Sequence, residues 1–134
     1  QVSLEEIINK AQILSLHLPQ TKKTVGFFNR SFIEKMKNPV WLINTSRGKV
    51  VVTEDLVEGL KTKKILGAGL DVLEYESNSF NSITNSNKIT PPLEYLIKSD
   101  KVLLGPHVAG WTYESHKKLA LTIVKKIKDL RLIN

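Results

Sequence analysis

VWLINTSRGKVV, residues 40–51, carries the pattern that decides the fold. Its first five residues are an apolar run ending at Asn44. A short polar loop follows, Thr45, Ser46, Arg47 and Gly48. An apolar run of this length between polar and glycine signals fits a parallel strand covered on both faces. In open α/β sheets the ligand crevice lies outside the carboxyl ends of the strands. Arg47 therefore stands where such a sheet would put a group that grips an anion. Its guanidinium fork can bind a planar carboxylate through two parallel hydrogen bonds. Taken alone, the same arginine also fits a surface αβ loop.

Outward from this stretch, strands and helices alternate. Ser3 and Glu6 form a capping box for a helix to Lys10, with Leu4, Ile7 and Ile8 as its apolar face. Residues 13–18 read as a strand ending at Pro19. Ser31 and Glu34 form a second capping box, for a helix ending near Lys37. Thr53 is placed to cap a third helix, with Glu54 and Asp55 in its first turn, where the macrodipole favours acids. Residues 65–72, ILGAGLDV, read as a strand whose small residues let another backbone or a ligand come close. The Ser- and Asn-rich stretch 76–92 reads as a long surface loop closed by a proline pair. A short helix at 93–98 and a strand at 101–104 follow. From Thr112 onward Leu119, Ala120, Ile123, Val124, Ile127 and Leu130 make a helical apolar stripe.

This alternation implies right-handed βαβ units and a parallel sheet. No G-x-G-x-x-G is present. The expectation is an α/β fold, the second half of a Rossmann-like, doubly wound and mostly parallel sheet. Residues 1–111 would be the partial nucleotide-binding domain and 112–134 the helix leading to another domain.

Bulk properties narrow the function. The chain has 134 residues, enough for one modest core, with 41% hydrophobic and 25% charged residues. It contains no cysteine, hence no thiolate metal site or disulfide, which fits the cytoplasm. It also contains no apolar run long enough to span a bilayer. The net charge is +7, but its lysines are spread over several helices rather than gathered on one aromatic-laced face. That argues against nucleic acid as a partner.

Candidate chemical groups lie just past the ends of successive strands: Arg47, then Asp71 with Glu76, then His107. The arginine can hold a carboxylate and polarise a neighbouring carbonyl. The histidine can exchange a proton near neutral pH. A carboxylate bonded to that histidine would orient it and favour its protonated form. The three histidines have no metal-ligand spacing. Ser46 lacks the G-x-S-x-G elbow of a hydrolase nucleophile.

Four blocks carry a resemblance: LSLHLPQTKKT (14–24), INTSRGKVV (43–51), GAGLDVLEYE (67–76) and PHVAGWT (106–112). In this order they resemble the nucleotide-binding half of the NAD-dependent D-isomer-specific 2-hydroxyacid dehydrogenases, which include phosphoglycerate, glycerate and D-lactate dehydrogenases. The resemblance implies hydride transfer between NAD, with NADP not excluded, and a small 2-hydroxy or 2-oxo acid, in a protein that is homodimeric when complete. It implies that Arg47 binds the substrate carboxylate and that His107 is the general acid of reduction and the base of oxidation. Glu76, five residues after Asp71, would pair with His107, with Glu74 as the second choice. Asp71 would contact the nicotinamide end of the cofactor and Gly110 would sit beside it. Leu18, Pro19, Thr24, Thr45 and Ser46 would line the cofactor site. The same scaffold also supports an NAD-sensing, corepressor-like module without turnover.

The chain departs from the family pattern at Ser77, where proline follows the catalytic Glu in relatives, at Gly105, usually threonine, and at Gln12, often aspartate. Trp111 is bulky for its place and is expected to line the substrate pocket or to pack against the last helix. Asp71 also fits a residue that caps the loop after its strand. His17 is expected to order the HLP turn and His116 to lie on the surface.

Overall fold

The structure, a computed structural model, describes residues 1–75 and 89–130. Glu76, Ser77 and most of the expected surface loop lie outside the described residues. Four strands, β1 (Ile13–Leu16), β2 (Val40–Asn44), β3 (Ile65–Leu70) and β4 (Val102–Leu104), form one parallel sheet in the order β1-β2-β3-β4. Among the described residues the helices between and around them are α1 (Leu4–Lys10), α2 (Arg30–Lys35), α3 (Thr53–Lys61), α4 (Pro91–Lys98) and α5 (Tyr113–Asp129). A 3₁₀ turn covers Gly48–Val50. The expected α/β architecture is thus present, with shorter strands at β1 and β3 than the sequence suggested.

The register aligns the strand ends. Leu16 pairs with Asn44, Asn44 with Leu70, and Leu70 with Leu104. The last residue of every strand therefore lies in one row, and all four following loops leave the sheet at the same edge.

One face of the sheet carries the core. Val40, Leu42, Ile65 and Leu70 pack with Phe32, Ile33 and Met36 of α2, with Leu56 and Leu60 of α3, and with Leu93 and Leu96 of α4. Fully burying a side chain such as Leu60, 1% exposed, contributes about 1.5–3 kcal/mol. Among the described residues the other face is bare, contrary to the reading of β2 as covered on both faces. Burial along β2 alternates, with Trp41 51% and Ile43 39% exposed. Ile13 pairs with Trp41 in the neighbouring strand and is 65% exposed, and Leu103 on β4 is 76% exposed. No residue of α5 is buried. The described helices that reach the core lie on one side, which leaves this apolar layer open.

Several helix ends differ from the expected caps. Ser3 does cap α1, its hydroxyl accepting from the Glu6 amide at 3.1 Å. The cap of α2 is Asn29 rather than Ser31, its Oδ1 accepting from the Phe32 amide at 3.1 Å. Thr53 is the first residue of α3, not its cap; the flanking Val52 has no polar side chain. The proline pair opens α4 instead of closing a loop, which suits residues whose missing amides would have no helical partner. Thr112 caps α5, accepting from Ser115 at 3.1 Å. Among the described residues no helix is long and apolar enough to cross a membrane.

Candidate functional site

The loop after β2 is fastened by Asn44, a residue the sequence pattern did not single out. Its side chain is fully buried at the strand end. Oδ1 accepts from the Ser46 amide at 3.1 Å and from the Ser46 hydroxyl at 2.8 Å, while Nδ2 donates to the Arg47 carbonyl at 3.1 Å. This is the Asx geometry that an asparagine before a polar loop favours, so the residue type was the available signal. The next position after Arg47, Gly48, touches backbone. A Cβ there would lie 1.9 Å from the Leu73 carbonyl oxygen. The loops after β2 and β3 can meet only because Gly48 has no side chain.

Arg47 is thereby held at the row of strand ends, exposed to solvent, with Nη1 donating to the Ser46 carbonyl at 2.6 Å. It lines an open crevice of about 580 Å³ together with Leu18, Pro19, Thr45 and Ser46. His17 and Gln20 line it too. The HLP loop and the TSR loop are therefore the two walls of one site, as their places after neighbouring strands require. Thr24 acts behind this wall. Its hydroxyl donates to the Pro19 carbonyl at 2.5 Å and accepts from the Thr21 amide at 2.8 Å, tying the turn together.

Glu74, the second choice to pair with His107, is bonded at the start of α3. Its Oε2 accepts from the Thr53 amide at 2.8 Å. A carboxylate at a helix N-terminus satisfies one of the orphan amides and meets the positive end of the dipole. This bond spans 21 residues of sequence and supplies the cap that Val52 cannot.

Asp71, only 9% exposed, reaches across to the loop after β4. Oδ1 accepts from the Val108 amide at 3.0 Å and Oδ2 from the Ala109 amide at 2.8 Å. Those amides directly follow His107, whose φ is +61°, in the left-handed region. A non-glycine residue there carries strain of about 1–2 kcal/mol, and two bonds to a charged acceptor offset it. Gly105 packs closely here, since a Cβ at that position would stand 2.4 Å from Asp71 Oδ1, and the carboxylate would have to shift to admit one.

Arg47, Asp71 and His107 accordingly leave the same edge of the sheet, and Asp71 and the His107 loop are in direct contact. Gly110 follows in that loop with open space around it. Trp111 is 75% exposed, so it packs neither against α5 nor into a pocket of the described residues. His116 is exposed on α5, as expected. Among the described residues no group of His, Cys, Asp and Glu could hold a metal ion.

Comparison with known proteins agrees with this architecture. Residues 1–109 match the family model described as D-isomer specific 2-hydroxyacid dehydrogenase, NAD binding domain. A glyoxylate reductase from Thermofilum pendens is 41% identical over 117 residues, 87% of this chain and 31% of that protein. A solved D-lactate dehydrogenase with NAD⁺ from Lactobacillus jensenii superposes with a TM-score of 0.76 at 33% identity, over 85% of this chain and 34% of that one. A D-lactate dehydrogenase from Aquifex aeolicus, solved with NAD and lactic acid, has a TM-score of 0.75 at 35% identity, over 96% of this chain and 40% of that one. The chain spans roughly a third of the length of the relatives it matches. With the four-stranded parallel sheet, the order of the motif blocks and the matched residues in agreement, the chain belongs to the D-isomer-specific 2-hydroxyacid dehydrogenase family, within its NAD-binding domain.

Proposed function

We propose that the polypeptide carrying this chain interconverts a 2-oxo acid and a 2-hydroxy acid with NAD. The observation that carries the proposal is the edge of the sheet. Arg47 and His107 project from loops that Asn44 and Asp71 hold in place. The crevice beside Arg47 offers hydroxyls, a guanidinium and apolar walls, which fit part of a dinucleotide. When bound, the cofactor supplies or accepts the hydride. The chain's own residues do the rest. Arg47 binds the substrate carboxylate and turns the 2-oxo group toward the histidine. His107 gives a proton to the developing alkoxide in reduction and removes it in oxidation. Glu76 is the partner assigned to His107, since Glu74 is engaged at α3. Leu18, Pro19, Thr45 and Ser46 line the cofactor, and Gly110 leaves space beside the nicotinamide. Asp71, besides holding the histidine loop, has lone pairs left for the nicotinamide carboxamide. Residues 1–111 form the nucleotide-binding part, and the helix from 112 leads to a substrate domain.

The test uses the full-length polypeptide. Arg47→Ala should lower kcat/KM for the oxo acid by about 2–4 kcal/mol of transition-state stabilisation while cofactor affinity is largely kept. His107→Ala should lose roughly 10²–10⁴ in rate. Wild-type kinetics in both variants would remove these residues from the site.

A further inference from the structure

One face of α5 carries charge of a single sign. The helix has five lysines, Lys117, Lys118, Lys125, Lys126 and Lys128, and all of them are exposed. Its two acids, Glu114 and Asp129, sit at its ends, so residues 115–128 hold no negative charge. Among the described residues no ion pair engages any of the five. A helix face that serves only to be solvated usually alternates its signs. This one does not.

Helical spacing sorts the side chains. Lys117, Leu121, Lys125 and Lys128 follow one row, and Lys118, Thr122 and Lys126 form the row beside it. The stripe of Leu119, Ile123, Ile127 and Leu130 occupies the opposite side. When that stripe packs against the rest of the polypeptide, the lysine rows stay turned outward. From Lys117 to Lys128 they extend over about 16 Å. Leu121, 60% exposed, is the apolar side chain among them.

We infer that the lysine face of α5 docks on the surface of an anionic lipid bilayer. Ammonium groups on long flexible stems meet the phosphates of the headgroups, and Leu121 enters between them. A nucleic acid suits this face less. Residues 115–128 contain no arginine for bidentate phosphate bonds and no Phe, Tyr or Trp on which bases could stack. The contact is peripheral, since among the described residues no helix is long and apolar enough to cross a membrane. It does not depend on the NAD-dependent reading.

The experiment cosediments the full-length polypeptide with vesicles of phosphatidylcholine, alone or with about 30% phosphatidylglycerol. The mixed vesicles should bind it at about 25 mM salt and release it at about 0.5 M, where surface charge is screened. Pure phosphatidylcholine should not bind it. Lys125→Gln and Lys128→Gln should each weaken binding about 5-fold, the effect of one lysine near an anionic surface, and together about 25-fold. Leu121→Gln should weaken it as well. Lys35→Gln with Lys37→Gln, the same charge loss elsewhere on the molecule, should bind like the wild type. If Lys125→Gln or Lys128→Gln fails to fold, Lys117→Gln and Lys118→Gln take its place and must show the same loss. No binding to the mixed vesicles would overturn the inference, as would equal binding by the wild type and the α5 lysine variants. Equal binding to both kinds of vesicle would overturn it too, because an apolar surface rather than the lysines would then be responsible. Duplex DNA that strips the protein from the mixed vesicles, and loses affinity in the same lysine variants, would give the face to nucleic acid instead.

Discussion

Removing the Asp71 carboxylate gives a prediction whose size can be worked from the structure. The carboxylate accepts from the amides of Val108 and Ala109. Two bonds to a charged acceptor contribute about 3–6 kcal/mol together. Against them stands the left-handed conformation of His107, at about 1–2 kcal/mol. The balance of about 3 kcal/mol keeps the loop in the observed geometry more than about 99% of the time, since 1.4 kcal/mol is tenfold. Asparagine keeps one carbonyl oxygen and turns an NH₂ toward the second amide. One neutral bond of about 1 kcal/mol then faces a strain of similar size, and roughly a third of molecules hold the loop. Alanine leaves the strain unopposed, and about a tenth do. In the full-length polypeptide kcat/KM for the oxo acid should therefore fall about 3-fold in Asp71→Asn and about 10-fold in Asp71→Ala. Hydrogen exchange at Val108 and Ala109 should quicken in the same order. Slow exchange and unchanged kcat/KM in Asp71→Ala would refute the clamp. A rise confined to the cofactor KM would show that nicotinamide binding is the whole of its role.

On the proposed pairing of Glu76 with His107, Glu76→Gln should move the pH optimum for reduction toward acid. Glu74→Gln should leave that profile in place and slightly lower the melting temperature instead, since it trades a charged acceptor at the N-terminus of α3 for a neutral one, worth roughly 0.3–1 kcal/mol; a profile that moves with Glu74 would reverse the two roles. Residues 1–134 alone should show no turnover, bind NAD weakly and self-associate through the bare face of Ile13, Trp41, Ile43 and Leu103 and the open stripe of α5; sedimentation and calorimetry check this, and tight binding by a monomer would contradict it. At Glu94 the Lys98 ammonium, bonded at 2.6 Å, holds the carboxyl below its ordinary value. A lowered folded value stabilises above the unfolded value and is lost as pH falls through it, so Lys98→Gln should raise the Glu94 titration in NMR, and an unmoved titration would remove Lys98 as the cause.

What could be read from the sequence was local. The run from Val40 to Asn44 announced its strand, the small residues of 65–70 announced theirs, and Ser3 announced its cap. The positions of Arg47, Asp71 and His107 at one edge followed from strand ends alone. Bonds that close over distance did not. Glu74 reaches Thr53 across 21 residues, and Asp71 reaches Val108 across 37. No periodicity encodes such a partner. Ser31 imitates a cap because its spacing to Glu34 copies a capping box, while Asn29 makes the actual bond. The coverage of β2 is not legible in sequence because an apolar run does not reveal how many of its faces find a neighbour.

The order β1-β2-β3-β4 also determines how the chain can assemble. Each strand pairs with the one made just before it, so no strand must wait for a later one to fill a gap between neighbours. During synthesis each βα unit can dock on a completed edge as soon as it emerges. The Asp71 clamp is the exception, since its acceptor oxygens exist long before Val108 and Ala109 arrive. The loop that carries His107 is therefore the last part of the edge to become rigid, and nascent chains should acquire the β1–β3 core before that loop is ordered.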